Sequence, residues 1–119
     1  MDLFSAIKKN DLPAIKASIE SGMDLNLKDP NGMTPLMVAI DYERLPIVQS
    51  LIRAKTNLDD VDKYGQTALI LAAGRGMIEA AKLLLATHAN TKIISKSKAT
   101  TAFDFANENG HKGVADLLR

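Results

Sequence analysis

The sequence predicts an all-α solenoid of stacked helix pairs, and two observations support this fold class. First, the segment DPNGMTPLMVAI, which begins at Asp29, is echoed 33 residues later by DKYGQTALILAA, which begins at Asp62. Second, each segment leads into apolar residues at helical spacing, followed by a short break and a second apolar stripe. Two short helices joined by a tight turn cannot bury both apolar faces alone, so such units need a stacked neighbour on each side.

The unit that begins at Asp29 shows the plan most clearly. Gly32 supplies the backbone freedom that a tight turn needs. Thr34 is a good N-cap, and a proline follows it at the first helical position, where its missing N–H costs nothing. We therefore expect a first helix from Pro35 to about Glu43 and a second helix from about Leu45. The second helix has an apolar stripe of Ile47, Val48, Leu51 and Ile52.

The same plan extends along the chain. Thr67 is the equivalent cap in the next unit, and Thr101 is the cap of the last unit, which is offset by one additional residue. The first unit lacks the turn but keeps both helices, and its Pro13 aligns with Pro46 in the first turn of the second helix. We expect a single domain, residues 1–119, whose repeats cover approximately residues 1–28, 29–61, 62–94 and 95–119.

Taken together, these residues resemble the ankyrin repeat. The resemblance rests on the pattern T-P-L-x-x-A, a glycine, paired aliphatic residues, and an exit segment similar to Gly-Ala-Asp-x-Asn. It implies a helix–turn–helix solenoid with hairpin-like turns between repeats and a role in binding other proteins. Met37 and Ile70 replace the histidine that the family usually has after T-P-L. Lys55 and His88 stand where the family prefers a left-handed glycine, so both are expected to be left-handed.

Composition excludes several classes of function. Fifteen Lys and Arg residues nearly balance fourteen Asp and Glu residues, so the net charge of +1 gives no overall attraction to nucleic acid or anionic membrane. The chain has no cysteine, which excludes disulfides, thiolate metal sites and cysteine nucleophiles. No apolar run approaches the length of a membrane span. The N-terminal MDLFSAIKKN reverses the order of a signal peptide, so we expect a cytoplasmic protein, or a periplasmic or exported one if a leader was removed.

Two motifs superficially indicate ligand chemistry. DDVDKYGQTALI begins like a calcium loop at Asp60, but Tyr64 and Leu71 occupy the fifth and twelfth positions, where ligands are required. It is better interpreted as a repeat turn. The glycines of AAGRGM lack the third glycine of a phosphate-binding loop. The only histidines are His88, in an exit turn, and His111, which we interpret as structural. We therefore expect no metal site, no cofactor and no enzymatic activity.

A basic segment precedes the last unit. Its lysines are Lys92, Lys96 and Lys98. Contact with nucleic acid or another polyanion is the alternative function, although no aromatic residue for base stacking lies between these lysines. An acidic protein partner fits them better than nucleic acid does.

The repeat also predicts where a protein partner would bind. First helices and turn tips line the concave side of such a solenoid. The residues expected at these positions are Asn31, Met33, Asp41, Tyr42, Lys63, Tyr64, Gln66, Arg75, Glu108 and Asn109. Both tyrosines of the chain are among them, and Tyr and Arg are enriched in binding hot spots. We expect Tyr42, Tyr64, Met33 and Arg75 to form one amphipathic patch, flanked by Asp41 and Lys63.

These features predict a non-catalytic, monomeric module that binds one protein partner. The chain is too small to be a multidomain scaffold, and it contains no effector domain. Its size therefore favours a role in which it changes the partner by covering it. One such role is that of an inhibitor or immunity-type protein at a partner enzyme's active site.

Overall fold

The structure is a computed structural model that describes residues 2–96 and 100–119. Within these two stretches the chain forms eight α-helices and no β-strand, which confirms the predicted all-α fold. The helices are α1 (Leu3–Lys8), α2 (Leu12–Glu20), α3 (Pro35–Asp41), α4 (Leu45–Arg53), α5 (Ala68–Arg75), α6 (Ile78–Ala86), α7 (Ala102–Glu108) and α8 (Lys112–Leu117).

The helices stack in two rows. The first helices of the pairs (α1, α3, α5 and α7) pack against one another in chain order, and so do the second helices (α2, α4, α6 and α8). The molecule is consequently elongated, with principal extents of 38, 25 and 23 Å. Ile7 and Ile40 from the first row, and Ile15 and Val48 from the second, are completely buried. The core is thus a continuous layer between the rows, to which every pair contributes.

Side-chain caps begin the first helices, as the sequence predicted. The hydroxyl oxygens of Thr34 and Thr67 accept hydrogen bonds from the backbone N–H three residues further on, at 3.3 and 3.2 Å. Thr101 caps α7 in the same way and forms a reciprocal capping box with Asp104. In α1 the cap is Asp2, whose carboxylate accepts the Ser5 N–H at 2.8 Å. Each cap satisfies a backbone donor that the helix itself leaves without a partner.

Left-handed residues separate the two helices of every pair. They lie at equivalent positions and have φ values between 56° and 75°: Asn10, Glu43, Gly76 and Gly110. The helix expected to reach Glu43 therefore ends at Asp41, because Glu43 has a φ of 56° that no right-handed helix can contain. The expected left-handed conformation after the second helices is confirmed, with φ values of 62° at Lys55 and 68° at His88.

Aspartate side chains organise the turns between pairs. One oxygen of Asp29 accepts the backbone N–H groups of Asn31 and Met33, each at 2.9 Å. One oxygen of Asp62 likewise accepts the backbone N–H groups of Tyr64 and Gln66, each at 2.9 Å. The interpretation of the calcium-like segment as a repeat turn is therefore confirmed, since the Asp62 carboxylate oxygen is engaged by the chain itself.

The tips of successive turns are joined by backbone hydrogen bonds. The N–H of Lys63 donates to the carbonyl of Asn31 at 3.1 Å, and the N–H of Lys96 donates to the carbonyl of Tyr64 at 2.8 Å. This close approach requires a glycine in the turn: a Cβ on Gly65, whose φ is 75°, would lie 2.8 Å from the Lys96 nitrogen.

A second ladder joins the exit segments. The side-chain oxygen of Asn26 accepts the backbone N–H of Asn57 at 2.8 Å, and that of Asp59 accepts the N–H of Asn90 at 2.9 Å. Both bonds span 31 residues of sequence. Adjacent helix pairs are therefore joined by two sets of hydrogen bonds in addition to the apolar core. One set joins the turn tips, and the other joins the segments that follow the second helices.

Candidate functional site

A cleft of about 440 Å³ opens along the row of first helices. It is bounded by residues from α3, α5 and α7, together with flanking residues from the turn before α5 and the starts of α4 and α8. The lining residues are Asp41, Glu43, Gln66, Leu71, Gly74, Arg75, Phe105 and His111. Four are charged or histidine side chains and two are large and apolar, a mixture typical of a binding site.

Leu71 and Phe105 form the apolar part of this cleft. Both are partly buried and pack against the core, and their remaining surface faces the cleft. Phe105 lies directly over Gly74, where an added Cβ would be only 2.5 Å from the Cε2 atom of the ring. The missing side chain at Gly74 thus allows the ring to lie against α5, and any larger residue there would displace it.

An ion pair lies beside this apolar surface. Arg75 donates from Nε and Nη2 to the same oxygen of Asp41, at 3.1 and 2.9 Å. The two side chains are 43% and 37% exposed, so solvent screens their attraction. Glu43 is exposed at the same cleft, and no ion pair joins it to any residue within 2–96 or 100–119. Among the described residues, the cleft therefore has one carboxylate in an ion pair, that of Asp41, and one that is in no ion pair, that of Glu43.

His111 closes the far side of the cleft and has a structural contact. Its Nε2 atom is 3.0 Å from the carbonyl oxygen of Gly74, near the end of α5. Arg44 makes the equivalent contact at the junction between the first and second pairs, donating to the carbonyls of Ile7 at 3.3 Å and Lys8 at 2.6 Å. Each of these side chains thus joins the start of a second helix to the end of the first helix in the preceding pair, which confirms the structural interpretation of His111.

The structure brings only three of the predicted binding residues into this cleft: Asp41, Gln66 and Arg75. Tyr42 caps the end of α3 and is 44% exposed, with the cationic groups of Lys8 and Arg44 at 5.9 and 6.0 Å from its ring centroid. Tyr64 lies at a turn tip and is 49% exposed, with the Lys63 ammonium at 5.1 Å. Each tyrosine is thus an exposed ring accompanied by a cation.

The remaining predicted residues lie away from the cleft. Met33 is partly buried and packs against the core, and it does not line the cleft. Asn31 accepts a hydrogen bond from the Lys63 ammonium at 2.9 Å and lines a separate groove beside α1. Glu108 and Asn109 are exposed at the end of α7, where the Asn109 amide donates to the Phe105 carbonyl at 2.8 Å. The single continuous patch expected around the tyrosines stays a prediction.

Five lining residues are not among the binding residues predicted from the sequence: Glu43, Leu71, Gly74, Phe105 and His111. The alignment of the repeats could have indicated two of them. Phe105 occupies in α7 the position that Leu71 occupies in α5, once the additional residue of the last unit is counted. Two apolar residues at one position of adjacent first helices can form a shared surface. That signal does not say whether the surface is buried by the next pair or left open.

The basic segment is only partly described. Lys92 and Lys96 are exposed, and Lys98 lies outside the described residues. The side chain of Lys96 extends over Gly65, where its Cγ atom would be 2.8 Å from an added Cβ. Neither described lysine is in an ion pair with another described residue.

Groups that could bind a metal ion and helices that could span a membrane are both absent from the described residues. Between residues 2 and 96 and between 100 and 119, no three His, Cys, Asp or Glu side chains are placed to hold one metal ion. No helix in these stretches combines the length and the hydropathy needed to cross a bilayer. The backbone N–H of Ser5 holds the pKa of the exposed Asp2 carboxyl below its usual range.

Comparison with known proteins agrees with this architecture. A family model for ankyrin repeats (three copies) matches residues 3–95 and, in an overlapping match, residues 43–119. A search of curated proteins found no match. The two family matches together cover all eight helices described above.

Proposed function

Because the chain belongs to the ankyrin-repeat family, whose members are generally protein–protein interaction modules, we propose that it binds one protein partner through the first-helix cleft and the adjacent turn tips. The cleft is the observation that supports this most directly. It combines partly exposed apolar side chains, Leu71 and Phe105, with charged groups at its edge. An apolar centre with a polar rim is the usual anatomy of a protein interface.

Tyr42 and Tyr64 extend the proposed surface beyond the cleft. Each offers a large rigid ring and a polar hydroxyl, and each is nearly half exposed. Tyrosine side chains lose little conformational entropy on binding, which is why they are frequent among binding hot spots. Lys63 and Lys8, which lie close to these rings, would add charge that steers a partner during encounter.

We further propose that binding acts by covering the partner, as an inhibitor or immunity-type protein covers an enzyme's active site. The family typically consists of non-enzymatic interaction modules, so an effect on the partner would come from occupancy rather than chemistry. The division into repeats near residues 29, 62 and 95 is part of the same proposal, since it defines which helices and tips form the surface.

The test starts from a partner isolated by affinity purification with the whole chain. Affinity is then measured for variants of the cleft and the tips, and for variants on the second helices, with the melting temperature of every variant recorded. The proposal requires that cleft and tip variants weaken binding at unchanged stability. Binding that depends only on second-helix residues would reject it. A partner that is an enzyme should also lose activity in proportion to occupancy.

Binding of nucleic acid or another polyanion is the second candidate, favoured by the exposure of Lys92 and Lys96. Phosphate contacts release counterions, so the logarithm of such an affinity should fall steeply and linearly with the logarithm of salt concentration. Titration of binding with salt, for Lys92→Ala and Lys96→Ala beside the parent chain, separates this function from cleft binding.

A further inference from the structure

We propose that Glu43 is the residue that selects the partner, and that it binds a cationic side chain, arginine or lysine, lying next to an apolar residue in the partner's bound segment. This inference rests on the proposed function, because it assigns a chemistry to the occupant of the same cleft. The first support is electrostatic: Glu43 is an exposed carboxylate at the cleft, with no ion pair to a described residue.

The other charges at the cleft are already engaged. Arg75 donates both of its described hydrogen bonds to Asp41. His111 lies at hydrogen-bond distance from the Gly74 carbonyl. Arg44 follows Glu43 in the chain, but its guanidinium extends to the carbonyls of Ile7 and Lys8 at the preceding junction. Glu43 therefore gives this edge of the cleft a negative charge that a partner's cation can complement.

The second support is the apolar surface in the same cleft. Leu71 and Phe105 can receive an aliphatic or aromatic side chain, whose burial supplies affinity. A cation close to that side chain in the partner's sequence can then reach Glu43, because both features line one cavity of about 440 Å³. Arginine suits the carboxylate best, since its planar guanidinium can donate two parallel hydrogen bonds.

The backbone at Glu43 makes this inference unusually testable. Its φ of 56° is a conformation that favours glycine, and glycine occupies the equivalent positions 76 and 110. Glu43→Gly should therefore raise the melting temperature, by about 2–4 °C, while it removes the selecting carboxylate. Loss of binding in a variant that is more stable than the parent cannot be attributed to unfolding. Lys55→Gly is the matched control, because Lys55 is equally left-handed and does not line the cleft.

The experiment selects binders for the whole chain from a phage-displayed library of random linear peptides. Selected clones should be enriched in arginine or lysine close to an aliphatic or aromatic residue. Their affinity is then measured for four variants: Glu43→Gln, Glu43→Gly, Lys55→Gly and Gln66→Tyr. The two Glu43 variants should each bind about three- to tenfold more weakly, whereas Lys55→Gly should bind normally. Gln66→Tyr adds a neutral ring at the cleft and should weaken every cleft binder.

The outcomes separate the two levels of the proposal. Clones that are weakened by Gln66→Tyr but show no basic enrichment and do not respond to Glu43→Gln would overturn the role of Glu43 and leave the cleft as the binding site. Clones that respond to neither Gln66→Tyr nor the Glu43 variants would overturn the proposed function as well, as would a selection that yields no binder.

Discussion

Arg75 and Asp41 join the ends of α5 and α3 through two hydrogen bonds to a single carboxylate oxygen. This contact lies at the junction between the α3–α4 pair and the α5–α6 pair. Among the described residues, it is the one junction where the start of the second helix, here α6, has no polar side chain that contacts the preceding pair. Arg44 and His111 make that contact at the other two junctions, whereas Met77 stands at the equivalent position here. An exposed ion pair thus lies where the neighbouring junctions have a donor to a helix-end carbonyl.

These two kinds of contact should differ in stability. Both members of the Asp41–Arg75 pair are more than one-third exposed, so Asp41→Asn should cost no more than about 0.5 kcal/mol, and less at high salt. Arg44→Ala should cost about 1–2 kcal/mol, because it removes a charged donor from two helix-end carbonyls. Urea unfolding of both variants at low and high salt measures the difference. A larger loss for Asp41→Asn would contradict the ranking.

Glycine should stabilise the exits of α4 and α6. Lys55 and His88 have φ values of 62° and 68°, which L-residues adopt at a cost that glycine avoids. Lys55→Gly and His88→Gly should each raise the free energy of unfolding by about 0.5–1 kcal/mol. Lys55→Ala, which keeps the Cβ, should give no such gain. Chemical denaturation of the three variants is sufficient, and a gain shared by alanine would point to the loss of the lysine charge instead.

Gly65 and Gly110 provide a matched pair, because both have a φ of 75°. A Cβ on Gly65 would lie 2.8 Å from the backbone nitrogen of Lys96, whereas one on Gly110 would meet nothing within 4 Å. Gly110→Ala should cost about 1 kcal/mol from backbone strain alone. Gly65→Ala should cost more, about 2–3 kcal/mol, because it also separates two turn tips. Equal losses in thermal unfolding would show that the tip contact contributes little.

The two exposed tyrosines should contribute to binding and not to folding. Tyr42→Ala and Tyr64→Ala should each weaken binding of the partner by about 1–3 kcal/mol, since truncating an aromatic side chain at an interface removes both contact area and a polar contact. Their melting temperatures should change little, because both rings are nearly half exposed. Lys16→Ala and Lys82→Ala, on second helices, are the controls and should bind normally. Calorimetry of all four variants with the isolated partner decides the matter.

Acid should loosen the first helix. The pKa of Asp2 is lowered because its carboxylate accepts the Ser5 backbone N–H, so ionisation of Asp2 stabilises the folded chain. This contribution is fully present above the unfolded-state pKa, which is near 3.8, and is lost as the pH falls through the lower folded-state value. The protection of the α1 amides against exchange, relative to their intrinsic rate at each pH, should therefore fall in acid more for the parent than for Asp2→Asn, which has no such titration. Identical acid profiles would contradict this role.

The fold was predictable because its signals are local. A threonine N-cap marks where a first helix begins, whatever surrounds it in the fold. The period of 33 residues then gives the equivalent position in the next repeat. The end of α3 was placed two residues too late, since nothing in the letters at Glu43 requires a left-handed backbone. That conformation follows from the repeat, in which positions 76 and 110 are glycine.

The candidate site was less predictable because it depends on which way neighbouring side chains turn. Glu43 and Arg44 are adjacent in sequence, yet the first lines the cleft while the second reaches the preceding pair. Asp41 and Arg75 were both placed on the binding surface, but their mutual pairing depends on the stacking of two first helices. Gly74 gives no sequence signal of the cleft, although the place of the Phe105 ring depends on it.

The ladders between pairs also determine how such a chain can grow. At the turn tips, the acceptor at residue 31 pairs with residue 63, and the acceptor at residue 64 pairs with residue 96, at the same separation. At the exits, both bonds span 31 residues. A tandem duplication of residues 32–64 would place a correct donor opposite every acceptor and add one bond of each kind. We expect a gene with this duplication to encode a longer, folded stack, whereas an insertion between an acceptor and its donor, of a length that is not a multiple of 33 residues, would leave acceptors facing the wrong residues.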